Sequence, residues 1–208
     1  MSKVVADLKY LNYTLFHPFD AFYEIKWREK GNLLLATFII LAYGIAMILN
    51  EQYTGFVMNF NPPHEINSIA TLVITIVPIL LFTVSNWSVA TLYNGKGRIK
   101  DLYLVMGYSL TPLLVTTLLS TALSNIVIAE EVSLLYAFNA MGILWFLYLA
   151  FCGVTTVHEY SAKESVMTLL ATAVAALIII FLFVLYFSLM EQFIGFVTTI
   201  GEELIRRW

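Results

Sequence analysis

The sequence predicts an all-α integral membrane protein: a five-transmembrane-helix bundle with an amphipathic cytoplasmic N-terminal segment and an amphipathic C-terminal segment. Three observations predict it. Of the 208 residues, 60% are hydrophobic and only 12% charged, against roughly 45–50% and about 25% in a soluble domain. Mean hydropathy is +0.83. Five stretches free of Asp, Glu, Lys and Arg reach the ~20 residues a helix needs to cross a hydrocarbon core about 30 Å thick. Basic residues, finally, cluster on one side of those stretches. A soluble enzyme, a disordered chain and a fibre are excluded. Cys152, the single cysteine, cannot form an internal disulfide.

Residues 1–30 form the first unit. Val4, Leu8, Leu11 and Leu15 recur at helical spacing, with Lys3, Asp7 and Lys9 on other faces. His17-Pro18 interrupts the pattern, and proline suits the first turn of a new helix, where its missing N–H is not needed. From there Phe19, Phe22, Tyr23, Lys26 and Trp27 form an aromatic stripe that ends in Lys26, Arg28 and Lys30. Such a stripe suits the headgroup layer, with Phe19, Phe22 and Trp27 as interfacial anchors. A docking surface for a cytosolic partner is the alternative.

Residues 31–190 hold the spans: Gly31–Asn50, Ser68–Leu92, Leu102–Ile128, Leu134–Val157 and Val166–Met190. Alternation of the kind membrane β-strands need is missing from Leu72–Val84 and Ala175–Leu189. Pro78 and Pro112 fall near the middle of the second and third spans, where each removes a backbone hydrogen bond and should kink its helix. Asn86 can hydrogen-bond between helices; Gly107 beside Tyr108 permits close approach. The spans carry no acid or base, which argues against an ion-coupled transporter.

Charge orients the spans. Lys3, Lys9, Lys26, Arg28 and Lys30 precede the first span, Lys96, Arg98 and Lys100 follow the second, and Lys163 follows the fourth. The two other connections carry Glu51, Glu65, Glu130 and Glu131 and no Lys or Arg. The positive-inside rule then places the N-terminus in the cytoplasm, and an odd number of spans places the C-terminus outside. In residues 191–208, Phe193, Phe196, Val197, Ile200, Leu204 and Trp208 can face lipid along the outer surface; a solvated tail is the alternative.

The turn Asn94-Gly95-Lys96-Gly97-Arg98-Ile99-Lys100-Asp101 is tight and basic. Asn94-Gly95 and Gly97 are expected to supply positive φ angles. Lys96, Arg98 and Lys100 are candidates for contact with lipid headgroups or phosphate, at about 1 kcal/mol each against anionic lipid. Topology alone is the competing explanation. Catalysis, a cofactor and a metal have no candidate residues. His158-Glu159 lacks a second histidine at zincin spacing, and Gly95-Lys96-Gly97-Arg98 lacks the P-loop pattern. At its helix end His158 is expected to pair with carbonyls or with Glu159. A formal charge of −3 leaves no nucleic-acid footprint.

His17-Pro18-Phe19-Asp20-Ala21-Phe22, then Asn94-Gly95-Lys96-Gly97 running through Asp101 into Gly107-Tyr108-Ser109-Leu110-Thr111-Pro112, resembles the Yip family of Ypt/Rab-interacting five-span membrane proteins. The resemblance runs from about His17 to about Met190 and implies five helices, a cytoplasmic N-terminus and an outer C-terminus. Eukaryotic relatives engage Rab GTPases through a longer polar N-terminal arm and act in vesicle traffic. About thirty largely amphipathic residues stand there in this chain, so a Rab partner is not expected. The compact form resembles bacterial members, which implies a bacterial plasma membrane and ABC transporter components as partners. Three functional expectations follow. One is a non-enzymatic scaffold or accessory subunit that packs on other membrane proteins or forms a homo-oligomer. Another is a permeation protein whose Pro78 and Pro112 kinks line a path for a neutral or lipidic solute. The third is a membrane-organising or trafficking-type protein, as in the eukaryotic relatives, acting on lipid through its amphipathic ends.

Overall fold

The computed structural model describes residues 3–59 and 66–207; His64, Glu65 and Trp208 lie outside the described residues, as do the side chains of Lys3, Val4 and Leu204. The helices are α1 (Lys3–Phe16), α2 (Pro18–Trp27), α3 (Leu33–Tyr53), α4 (Ser68–Leu92), α5 (Ile99–Ser109), α6 (Thr111–Leu123), α7 (Val132–His158) and α8 (Ala162–Arg206). A short 3-10 turn, Ala129–Glu131, leads into α7. Five helical stretches are long and apolar enough to cross a membrane: α3, α4, α5 with α6, α7 and α8. The basic turn 93–98 marks one end of the bundle, called here the basic end.

The third span differs from the expected single kinked helix. α5 and α6 meet at Leu110, and Pro112 opens α6. Pro112 has no N–H to offer the carbonyl of Tyr108, and the Thr111 hydroxyl donates to that oxygen instead, at 2.8 Å. The side chain restores what the ring removed, as a spanning helix requires. Pro78 lies inside α4, which runs unbroken from Ser68 to Leu92.

Two buried clusters hold the helices together. Nearer the basic end, Phe22, Ile25, Leu102, Leu104, Val105, Tyr108, Val154 and Val157 pack as one. Further in, Ile39, Ile40, Ile79, Met106 and Leu110 form the second. Gly107 lets α5 lie on α3: a Cβ there would stand 2.9 Å from Ala36 Cα and 3.1 Å from its carbonyl oxygen. Between spans lipid is as good a solvent as a leucine side chain, so close backbone approach and hydrogen bonds hold helices together. Asn86 supplies such bonds, giving one to the Thr172 hydroxyl at 2.9 Å across the α4–α8 contact.

The N-terminal helices do not lie flat at the surface. α2 packs along α7 in the same direction: Lys26 reaches the Val157 carbonyl, and four residues earlier Phe22 meets Gly153. Pro18 therefore lies about 12 Å below Lys26 along the axis. α1 runs alongside in the opposite sense, with the Tyr10 hydroxyl on the Ala21 carbonyl at 2.6 Å. The Trp145 indole N–H donates to the Leu15 carbonyl at 3.3 Å, and Phe16 lies edge-on to the same ring at 5.8 Å. Trp145 is the central residue of α7. α1 and α2 thus form a re-entrant hairpin whose tip, Phe16-His17-Pro18, reaches halfway along the bundle.

This placement corrects the expectation for Phe22. It is fully buried against the bundle and anchors nothing at an interface, whereas Phe19 and Trp27 are about half exposed. The stripe of residues 19–27 splits in two. Phe22 and Ile25 face inward; Phe19, Tyr23 and Trp27 face outward.

α8 also departs from expectation at its far end. Its 45 residues form one helix, about 67 Å long, without a break at Met190. Asn86 of α4 is level with Thr172 of α8, and the two helices run in opposite directions. Eighteen residues separate Asn86 from Ser68, and eighteen beyond Thr172 stands Met190. Residues 191–206 therefore continue as helix past the end of α4, with Phe193, Phe196, Val197 and Ile200 exposed.

Candidate functional site at the basic end

The turn between α4 and α5 is seated on the end of α7 by a histidine. Gly97 N–H donates to Nδ1 of His158 at 3.2 Å, so Nδ1 is the unprotonated acceptor and Nε2 carries the hydrogen. Nε2 in turn faces Oδ1 of Asn86 at 3.1 Å, and Asn86 passes the chain on to Thr172. His158 is 1% exposed and Asn86 fully buried. A neutral imidazole satisfies both contacts. The expected pairing with Glu159 does not occur, because Glu159 turns away in a left-handed conformation, φ +60°, and forms an ion pair with Lys96.

Of the expected positive φ angles in this turn, Asn94 supplies one, at +54°, and neither glycine does. Gly95 and Gly97 are needed for clearance. A Cβ on Gly97 would stand 2.7 Å from Val157 and 2.9 Å from His158 Nδ1, and one on Gly95 would collide with Tyr160 and His158.

Three cations border an open pocket of about 410 Å³ on this surface, lined by Lys26, Trp27, Glu29, Lys96 and Arg98. Lys26 comes from α2. Its ammonium donates to the Lys96 carbonyl at 2.5 Å and to the Val157 carbonyl at 2.6 Å, clamping the hairpin to the turn and to α7. Burial lowers the Lys26 pKa, while Asp101 and Glu159 pull the other way. Arg98 forks onto Asp101 at 3.0 and 3.1 Å and reaches Glu29 at 3.4 Å; the Asp101 hydrogen bond raises its pKa. Glu24 binds Arg28 at 2.8 Å and Lys30 at 2.9 Å, and the Lys30 hydrogen bond lowers its pKa.

Of the three basic residues named from sequence, Lys96 and Arg98 border the pocket. Lys100 is exposed and lies outside it. Lys26 takes its place; the spacing of the N-terminal helix put it on the aromatic stripe but could not bring it to a turn seventy residues away. Tyr108 is fully buried, its hydroxyl accepting from Asn32 N–H at 3.1 Å. The two prolines do not share a path. Pro78 borders an apolar groove of about 380 Å³ with Tyr43, Phe82, Phe146 and Phe151. Pro112 borders another of about 270 Å³ with Leu15, Phe138 and Trp145. Cys152 is buried and free. Among the described residues, no three His, Cys, Asp or Glu side chains group to hold a metal ion.

Five apolar spans and no strand among the described residues define a multi-pass, all-α membrane protein of helix-bundle type. The Yip1 domain family model matches residues 13–185, and the chain belongs to that family. The match begins inside the re-entrant hairpin and ends within α8, so it covers the contacts described above except that of Tyr10. No curated protein and no solved structure matches the chain.

Proposed function

We propose that this protein is a non-enzymatic scaffold or accessory subunit of a membrane complex, working through the outward face of its N-terminal hairpin. One observation carries this reading. The hairpin is held together by Tyr10 and fixed to the bundle by Lys26 and Trp145, yet Phe16, Phe19, Tyr23 and Trp27 on its outer side are each about half exposed or more. A rigid mount that presents a row of aromatic rings is suited to holding another membrane protein. The basic end, rich in Lys and Arg, faces the cytoplasm of a plasma membrane in this reading. The family resemblance suggests transport complexes of the ABC type as candidate partners. Purification in mild detergent should yield a stoichiometric partner or a homo-oligomer, lost in the Phe19→Ala, Tyr23→Ala double variant. A monomer without a partner in several detergents contradicts the reading.

A second reading is favoured by the pocket of Lys26, Lys96, Arg98 and Trp27. Its ion pairs to Glu29 and Glu159 are largely exposed, and such pairs are worth at most about 1 kcal/mol. An anionic headgroup can replace them, with Trp27 at the interface. Native mass spectrometry of the Lys96→Gln, Arg98→Gln variant should show several-fold less retained anionic lipid than wild type. Equal retention dismisses this reading.

A further inference from the structure

The hairpin tip carries two polar side chains whose polar atoms have no hydrogen-bond or ion-pair partner among the described residues. His17 precedes Lys26 by nine residues and Asp20 by six, which places them about 13 Å and about 9 Å below the charged rim. Both are exposed. His17 is stacked on Tyr13 at 4.9 Å, and among the described residues neither its ring nitrogens nor the Asp20 carboxylate makes a hydrogen bond or ion pair. Asp20 stands where a capping carboxylate could accept from the N-cap N–H, but that N–H, from His17, already donates to the Tyr13 carbonyl at 2.9 Å. The dipole of α2 favours the negative charge without hydrogen-bonding it. Phe16 and Phe19 flank the two groups and are 64% and 49% exposed. Facing acyl chains, an unpaired carboxylate is costly, and ionisable groups at such depth are normally turned to protein or water.

We propose that the hairpin tip is the contact surface for a second copy of this chain, in which His17 of each copy meets Asp20 of the other. The chemistry of the patch carries this choice of occupant. A two-fold axis brings a surface onto itself, so a patch holding one donor and one acceptor three residues apart pairs both at once. The aromatic rings around it close the contact against lipid. This inference rests on the scaffold reading and names the partner for it.

Charge exchange tests the pairing in the full-length chain reconstituted in liposomes, with self-association read by energy transfer between labelled copies. Wild type should associate. A His17→Asp chain places two carboxylates at each contact and should lose at least tenfold in dimer affinity. Mixed with an Asp20→His chain, it regains both pairs, so mixed dimers should form at near wild-type affinity. Thermal unfolding of each variant in detergent confirms that it folds. Self-association of the folded His17→Asp chain at wild-type affinity overturns the proposal, as does failure of the two folded variants to associate with one another. A wild-type chain that stays monomeric at all protein-to-lipid ratios, yet co-purifies with a different membrane protein, overturns the pairing and leaves the scaffold reading standing.

Discussion

At the scale of single residues, the basic end depends on a few atoms that have no substitute nearby. His158 serves the half-buried Gly97 N–H and the buried Asn86 with one neutral ring. His158→Phe would keep the volume and leave the Gly97 N–H and the Asn86 carbonyl unpaired, which costs about 1–3 kcal/mol for each group that stays dry. Differential scanning fluorimetry in detergent should record a lower Tm, and a Tm equal to wild type contradicts the role given to the ring. Gly97→Ala should cost about 1–3 kcal/mol through overpacking against Val157. Asn94→Gly should be nearly neutral. Asn94→Val, forced to a left-handed φ, should lose about 1–2 kcal/mol. If Gly97→Ala and Asn94→Gly behave alike, clearance is not why glycine stands at Gly97. The sequence placed glycines in this turn correctly, but their reason could not be read there. Backbone freedom is a property of the residue; clearance depends on what another helix brings beside it.

At the scale of elements, the α5–α6 junction and the hairpin clamp each make a separable claim. The Thr111 hydroxyl serves the Tyr108 carbonyl because Pro112 cannot. Thr111→Val should therefore cost about 1 kcal/mol, and less in a Pro112→Ala background, where a backbone N–H again reaches that oxygen. A double-mutant cycle on thermal unfolding measures the difference, and equal costs in both backgrounds would remove the compensation argument. Lys26→Met leaves the carbonyls of Lys96 and Val157 without their shared donor and should loosen α2 from α7. Limited proteolysis in detergent should then cut within residues 28–32 several-fold faster than in wild type; an unchanged rate means the clamp does not hold the hairpin. The five spans were legible because a run of twenty residues without a charge is a property of composition. The hairpin was not. Asp7, Lys9, Asp20 and Glu24 mark its sequence as polar, and the spacing of Phe19, Phe22, Tyr23 and Trp27 identifies apolar faces without saying what covers them. Phe22 against Gly153 and Phe19 against the surroundings belong to the same stripe and have opposite fates.

For the molecule as a whole, the structure describes a bundle with two unlike ends. The basic end is knitted by side-chain contacts that join residues far apart in sequence: Lys26 to Val157, Gly97 to His158, Asn32 to Tyr108. At the other end α8 runs on past α4, and its Phe193, Phe196, Val197 and Ile200 are exposed. A helix hydrophobic on one face and unpartnered is expected to meet lipid or protein there. In this arrangement five spans cross the bilayer while a hairpin enters it from the basic end and returns. Cysteine mapping in sealed membrane vesicles measures this directly. In a Cys152→Ala chain, a membrane-impermeant thiol reagent should label Lys30→Cys from one side only and Glu203→Cys from the other side only. Phe16→Cys, at the hairpin tip, should resist it from both sides. Labelling of Lys30→Cys and Glu203→Cys from the same side would contradict the five crossings, and ready labelling of Phe16→Cys from the side that labels Lys30→Cys would contradict the hairpin.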